Sequence, residues 1–300
     1  MINVEVIPYG GWQQCLRIRN QEIEAVITAE VGPRVIRFGY IGGSNEFVEY
    51  PDQMGRSGGD VYRSYGGHRL WAAPEERPRT YHPDNQPVQW QTAGEALTVA
   101  APVEAGTGFR KEMEFWIDAS LNTLHVVHRI QNCGDAPVTL AAWALSVMAP
   151  GGRALIPQEP YVPHPDALLP SRPLVLWSYT DMADPRWRWG KGLIQLTQEA
   201  SAERPQKIGL LNKRGWMAYA NQDRLFVKTH IYRPGRAYPD YGCNAEFFTN
   251  ARMLELETLG PLTLLEPGER LEHEEHWFLY KGVHLGQDEG EILDALKRLH

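Results

Sequence analysis

Apolar and polar residues alternate at a period of two in one short run after another, and this pattern constrains the fold more than any other feature of the chain. Cys15-Leu-Arg-Ile-Arg, Ile23-Glu-Ala-Val-Ile and Val35-Ile-Arg-Phe-Gly-Tyr each put apolar side chains on one face of a strand, because successive β residues point to opposite sides. Gly10-Gly11, Val31-Gly32-Pro33 and Gly42-Gly43 separate these runs as turns. The same grammar returns at Ala96–Ala101, Lys111–Ile117, Thr123–Ile130, Val138–Met148, Leu193–Thr197, Ile208–Leu211, Trp216–Ala220, Leu225–Tyr232, Arg252–Leu259 and Arg270–Tyr280. Glu266-Pro-Gly-Glu is a turn sequence between the last two. Helical spacing is confined to the tail, where Ile292, Ala295, Leu296 and Leu299 recur behind the acidic start Asp288-Glu-Gly-Glu. These signals predict an all-β fold, with antiparallel sheets packed face to face and a short C-terminal helix. No linker composition or fixed-period repeat divides the chain, so a single domain over 1–300 is expected.

Composition narrows the function. Thirty Lys and Arg against 37 Asp and Glu leave a net charge of −7, which argues against a nucleic-acid partner. The N-terminus lacks a basic region followed by an apolar run. The most apolar stretch, Val138–Ala149, is too short for a bilayer and is broken by Thr139 and Ser146. Cys15, Cys133 and Cys243 form neither a disulfide framework nor a metal knuckle and read as reduced thiols. A cytoplasmic protein without a membrane partner is expected. Dinucleotide, phosphate-loop, zinc-peptidase and hydrolase-elbow motifs are all absent, and neither a cofactor nor a metal is called for. His125 with His128, and His273 with His276, are three apart on strands, which puts the members of each pair on opposite faces.

Two segments interrupt the strand grammar and are long for passive connections. Asp52–Gln91 carries Tyr62, Arg63, Tyr65, Gly66-Gly-His-Arg-Leu-Trp71, Glu75, Arg77, Arg79, Tyr81, His82 and Asp84. Pro150–Trp189 carries eight prolines, His164 and the indoles of Trp177, Trp187 and Trp189. Stiff connections rich in Trp, Tyr and Arg suit a polyhydroxylated ligand, since aromatic faces pack on sugar C–H groups while charged groups bind hydroxyls. The plainer alternative is a satellite core under a folded loop. In Met253-Leu-Glu-Leu-Glu-Thr-Leu, Leu254, Leu256 and Thr258 share one strand face, and Glu255 and Glu257 project together from the other, roughly 7 Å apart. On an open face they are merely solvated. In a pocket, burial and mutual repulsion raise at least one pKa toward the range of a general acid or base, with Glu246 as a third carboxylate.

The runs Gly66-Gly-His-Arg-Leu-Trp-Ala-Ala-Pro-Glu75, Leu254-Glu-Leu-Glu-Thr-Leu-Gly-Pro-Leu, Leu265-Glu-Pro-Gly-Glu269 and His276-Trp-Phe-Leu resemble galactose mutarotase-like proteins, related to aldose 1-epimerases, and a bacterial branch of that superfamily in particular. The resemblance implies a β-supersandwich with a sugar site on the concave face of the larger sheet. Aldose 1-epimerases carry Leu-Glu-Thr-Gln, whose Glu takes the proton of the anomeric hydroxyl. Leu256-Glu257-Thr258-Leu259 is similar, so the resemblance makes Glu257 the base. Their His acid has no counterpart in Leu140-Ala-Ala-Trp-Ala-Leu-Ser-Val147. His68 is the first replacement candidate, then His82, then His164; the alternative for His68 is a loop residue bonding a neighbouring carbonyl. Arg69, Trp71, Lys228 and Asp240 are candidate sugar contacts together with Glu246 and Glu255, with Lys207 behind them. Each could instead be surface charge or rim packing. The expected partner is a small-molecule carbohydrate and the expected chemistry is epimerase-type proton transfer. A non-catalytic sugar-binding domain and a lyase or hydrolase acting on a modified glycan are the alternatives, and oligomeric state is open. Convergence of the 66–75 segment with Glu257 on one cleft separates chemistry from coincidence.

Overall fold

A computed structural model describes residues 3–299. Among them every strand ladder is antiparallel, and two sheets account for the strands. The larger has eleven strands. Its order is Val4–Tyr9, Trp12–Arg19, Ile23–Thr28, Arg34–Tyr40, Gly67–Ala73, Val138–Met148, Leu254–Leu259, Ala245–Thr249, Gln206–Leu210 and Leu174–Leu176. Thr263–Leu265 pairs with the start of Val138–Met148 and lies between the Leu254–Leu259 strand and the Glu266 turn. The second sheet has ten strands, in the order Trp187–Trp189, Leu193–Thr197, Arg153–Pro157, Trp216–Asn221, Arg224–His230, Arg270–Lys281, Thr123–Asn132, Phe109–Ile117, Ala96–Ala100 and Gln89–Ala93.

The inner faces of the two sheets supply the main core, including Leu16, Ile18, Ile27, Val35, Leu254 and Leu256 from one and Met113, Phe115, Val126 and Leu279 from the other. Phe38, Phe47, Phe226 and Trp277 interlock at its centre with ring centroids 5.5–6.4 Å apart, an arrangement worth about 0.5–1.5 kcal/mol per pair beyond burial. The C-terminal helix, Glu289–Lys297, starts where the Asp288 side chain accepts the Glu291 N–H at 3.0 Å. It buries Ile292 and Leu296 against Leu155, Leu193 and Val227 on the outer face of the smaller sheet. No helix among the described residues is long and apolar enough to cross a membrane.

The larger connections contain more sheet than their sequence suggests. Gly67–Ala73, expected to be loop, is a strand between Arg34–Tyr40 and Val138–Met148, paired with the latter from Gly67↔Val147 to Ala73↔Ala141. All seven of its residues are buried. A strand covered on both faces carries no polar–apolar alternation, which is why the period-two pattern passes over it. The histidine pairs divide as their spacing predicts. His128 and His273 oppose each other inside the sandwich, whereas His125 and His276 oppose each other on the outer face, where His125 stacks on Trp116 at 4.7 Å.

Candidate active site

Residues directly opposite each other in an antiparallel sheet share a face, so ladder register assembles the site. Arg69, Leu145, Glu257 and Glu246 are successive cross-strand partners on the outer face of the larger sheet. One row along lie Val147, Glu255, Phe248 and Lys207; one row the other way lie Trp71, Trp143 and Leu259. The alternation that sends Leu254 and Leu256 into the core is what aims Glu255 and Glu257 outward. That face is nevertheless closed: Glu257 and Glu246 are 0% exposed. The two long connections cover it. Tyr62 and Tyr81 pack on Trp71 at 5.9 and 5.1 Å. From the other connection, Trp177 lies 4.7 Å from the Lys207 ammonium, which also lies 4.9 Å from the Trp143 ring. That second connection is pinned to the sheet where Thr180 donates to the Lys207 carbonyl and the Asp181 N–H donates to Gln206 Oε1 at 2.9 Å.

Lys207 Nζ stands 2.7 Å from Glu246 Oε2 and 3.1 Å from Glu257 Oε2, so two carboxylates share one ammonium. Trp143 Nε1–H donates to Glu257 Oε2 at 2.8 Å, and Arg69 Nη2 donates to Glu255 Oε1 at 3.0 Å. Burial pushes the Glu246 carboxyl well above the usual carboxylate range; Lys207 opposes this, and the charges of Glu257 and Asp240 add to it. Burial also raises Glu255, against the pull of Arg69. Burial by itself would lower Lys207, but Glu257 and Glu246 outweigh it and hold the ammonium above its ordinary value. Several buried polar atoms here have no hydrogen-bond partner within the chain: the Tyr62 hydroxyl, Arg69 Nε and Nη1, Trp71 Nε1, Glu246 Oε1 and Glu257 Oε1. Each such group costs about 1–3 kcal/mol if left unpaired, so ordered water or a polar ligand has to supply partners on this face.

The sequence candidates therefore separate. Glu246, Glu255, Glu257, Arg69, Trp71 and Lys207 come together, and Asp240, in the Pro239–Gly242 turn, is near enough for its charge to raise Glu246. His68 and Lys228 do not join them, which corrects both assignments. Because Gly67–Ala73 is a strand, His68 points opposite to its neighbour Arg69; it pairs in register with Ser146, whose next partner is Leu256 on the core side. Lys228, from the second sheet, is also 0% exposed inside the sandwich. His82 borders a rim with Gly32, Asp84 and Glu104, and His164 is exposed in the 150–189 connection. Trp143 and Arg34 were not singled out from sequence. Trp143 lies in a strand buried on both faces, and its position beside Glu257 depends on register between segments far apart in the chain.

Inside the sandwich, His68 and Lys228 belong to a directional hydrogen-bond chain. His128 Nδ1–H donates to the His273 carbonyl at 3.0 Å, which leaves its Nε2 to accept from His68 Nε2–H at 2.7 Å. His68 Nδ1 then accepts from the Ser146 hydroxyl at 2.9 Å, and Ser146 Oγ accepts from Lys228 Nζ at 3.1 Å. Lys228 Nζ lies 2.8 Å from Glu275 Oε1, and Glu275 Oε2 accepts from Trp277 Nε1–H at 2.8 Å. Ligand atoms of His68, His128 and Glu275 lie within 4.8 Å of one another, yet the two imidazoles already share a proton and the carboxylate already holds an ammonium. The donor set is a closed polar core and does not fit a metal.

Burial drives these imidazoles down, His128 and His273 to about 3, His230 to about 4, and His68 well below its usual value. An unfolded histidine titrates near 6.5, so as pH falls from there the unfolded chain binds protons that the folded chain refuses. Each ring then removes stability, by up to about 1.4 kcal/mol per pH unit, until its folded value is reached. The raised carboxyls of Glu46, Asp84, Glu246 and Glu255 act in the opposite sense, so ring NMR is the cleaner measurement. The Cε1 resonances of these four histidines are expected to stay flat between about pH 8 and 5. A midpoint near 6 in any of them would place that ring in contact with solvent.

No family model matches the sequence, and no curated protein matches it either. Solved structures do. A provisionally named aldose 1-epimerase from Klebsiella pneumoniae is 12% identical, with a TM-score of 0.62 over 99% of this chain and 86% of its own. A galactose mutarotase-like protein from Lactobacillus casei is 10% identical, with a TM-score of 0.58 over 89% of this chain and 100% of its own. A TPR-domain-containing protein from Parabacteroides distasonis is 14% identical, with a TM-score of 0.59 over 91% of this chain; the match spans 48% of that longer protein, about half its length. At these identities the likeness is one of fold. Its two antiparallel sheets, face to face with a short C-terminal helix, are those of a galactose mutarotase-like β-sandwich, and that is the fold of this chain.

Proposed function

We propose that this protein binds a carbohydrate on the outer face of its larger sheet and moves protons at the anomeric centre, as an aldose 1-epimerase does. The carrying observation is the buried Glu257–Lys207–Glu246 group set among Trp71, Trp143 and Trp177, with unpartnered polar atoms on the same face. Indole faces pack against sugar C–H groups, and the polar atoms take hydroxyls.

Anomerisation requires that the O1 hydroxyl lose a proton while the ring oxygen gains one. The C1–O5 bond then breaks to an aldehyde and a free O5 hydroxyl, C1 turns, and reclosure on its other face returns both protons. Glu257 takes the O1 proton. Glu246, whose carboxyl burial raises well above the usual carboxylate range against the pull of Lys207, donates to O5 in the role that His68, on the opposite face, cannot fill. Lys207 holds the two side chains in place and offsets negative charge as it passes between them.

NMR of anomeric exchange across a panel of aldoses, sugar acids and sugar phosphates tests the reading, with acceleration above the spontaneous rate expected. Glu246→Gln keeps the side-chain shape and removes the transferable proton, and a loss of about 10²- to 10⁴-fold in exchange rate is expected. Saturable sugar binding without any acceleration would leave a non-catalytic binding domain in place of the enzyme.

A further inference from the structure

We propose that the substrate carries an anionic group, a carboxylate or a phosphate, held by Arg34, Arg69, Tyr62 and Trp71. The inference rests on the sugar-site reading for which molecule bears the anion, and on the unpartnered donors for the anion itself.

Arg34 and Arg69 are directly opposite each other on adjacent strands and so project from the same face. Arg34 is 0% exposed and Arg69 4%. Arg34 Nη1 donates to the carbonyls of Ser64 and Gly66, both at 2.8 Å, and its Nε and Nη2 have no partner. No carboxylate among the described residues lies within the 4.0 Å ion-pair distance of Arg34. Arg69 uses Nη2 on Glu255 and likewise leaves Nε and Nη1 unpartnered. Trp71 Nε1 and the Tyr62 hydroxyl, with their rings 5.9 Å apart, complete the group.

The carboxylates that face this corner are accounted for. Glu255 is taken by Arg69. Asp84 is 3.9 Å from Lys111, which Glu104 holds at 2.7 Å. Burial and the neighbouring Arg69 lower the Arg34 guanidinium to about 10 while Asp84 pulls the other way, and the cation lies 5.3 Å from the Tyr65 ring.

The site is thus polarised. The unpartnered N–H groups of Arg34, Arg69 and Trp71 lie at one end, and the unpartnered carboxyl oxygens of Glu257 and Glu246 lie two and three strands away. Sugar hydroxyls both donate and accept, whereas an array of guanidinium and indole N–H groups matches oxygens that only accept. Arg69 and Glu257 are two strand spacings apart, roughly 10 Å, which suits one sugar with its anomeric carbon at the Glu257 end and its acid at the arginines.

Titration calorimetry with galactose, galacturonate and galactose 6-phosphate, and with the matching glucose set, tests this. At least one acid is expected to bind tenfold or more tightly than its neutral parent, and which acid does so distinguishes carboxylate from phosphate. Arg34→Gln risks the fold, so the decisive variants are Tyr62→Phe, which keeps the ring and removes the hydroxyl, and Trp71→Phe, which keeps an aromatic face and removes the indole N–H. Each is expected to narrow the acid-to-neutral ratio by about tenfold. Equal binding of acid and parent, an unchanged ratio in both variants, or no binding by any acid overturns the inference. Acid-selective binding without anomeric exchange overturns the epimerase reading and leaves the anion assignment standing; exchange of neutral sugars without acid preference does the reverse.

Discussion

Glu257→Gln is expected to lower anomeric exchange by roughly 10²- to 10⁴-fold, the contribution typical of a positioned general base, in a protein that still folds. Glutamine fills the same space, and its carbonyl can still accept the Trp143 Nε1–H that Glu257 accepts at 2.8 Å. Lys207 keeps its 2.7 Å contact with Glu246 and its place beside the Trp143 and Trp177 rings, at 4.9 and 4.7 Å, so the ammonium retains partners. The variant therefore separates chemistry from architecture, with the rate read by NMR and the fold by thermal melting. A folded Gln variant whose rate stays within a few-fold of the parent would remove Glu257 from the base role.

The second large effect is on stability and belongs to the polar chain inside the sandwich. Glu275→Leu strands the fully buried Lys228 ammonium and takes the acceptor from Trp277 Nε1–H and from Thr258. Breaking a buried ion pair from one side costs roughly 3–5 kcal/mol. At about 2–4 °C per kcal/mol for a chain of this size, the melting temperature should fall by on the order of 10 °C. Burial already lowers the Lys228 ammonium despite Glu275, so the charge has little reserve once its partner is gone. Adding Lys228→Met to Glu275→Leu removes the stranded charge and should restore at least half of the loss. Urea denaturation of the two single variants and the double variant measures this. A cost below about 1 kcal/mol for Glu275→Leu would mean that Lys228 finds another counter-group in the folded state.

How far the site was legible follows from where each residue sits in the sheet. Glu255 and Glu257 were placed on a common face by alternation within one strand, a local property. His68 was misplaced because Gly67–Ala73 is covered on both sides and hides its strand character. Adjacent residues of a loop can converge on one ligand, but adjacent residues of a strand cannot, so His68 and Arg69 part company. Glu246 lies on the strand beside that of Glu257, and Lys207 one strand further; no periodicity within a strand reports which distant segment pairs with it, or in what register.

The amino-acid sequence by itself determined the all-β class, most strand positions, the C-terminal helix behind its acidic start at Asp288, and the pairing of Glu255 with Glu257 on one face. Those features follow from the two-residue repeat of a strand and the chemistry of a helix start, both of which act over a few residues. Only the tertiary structure decided that the carboxylate face is closed by two long connections, that Lys207 is shared by Glu246 and Glu257, and that His68 and Lys228 belong to the core. Those features depend on register between strands distant in the chain, which the summed burial of both sheet faces selects and no local pattern encodes.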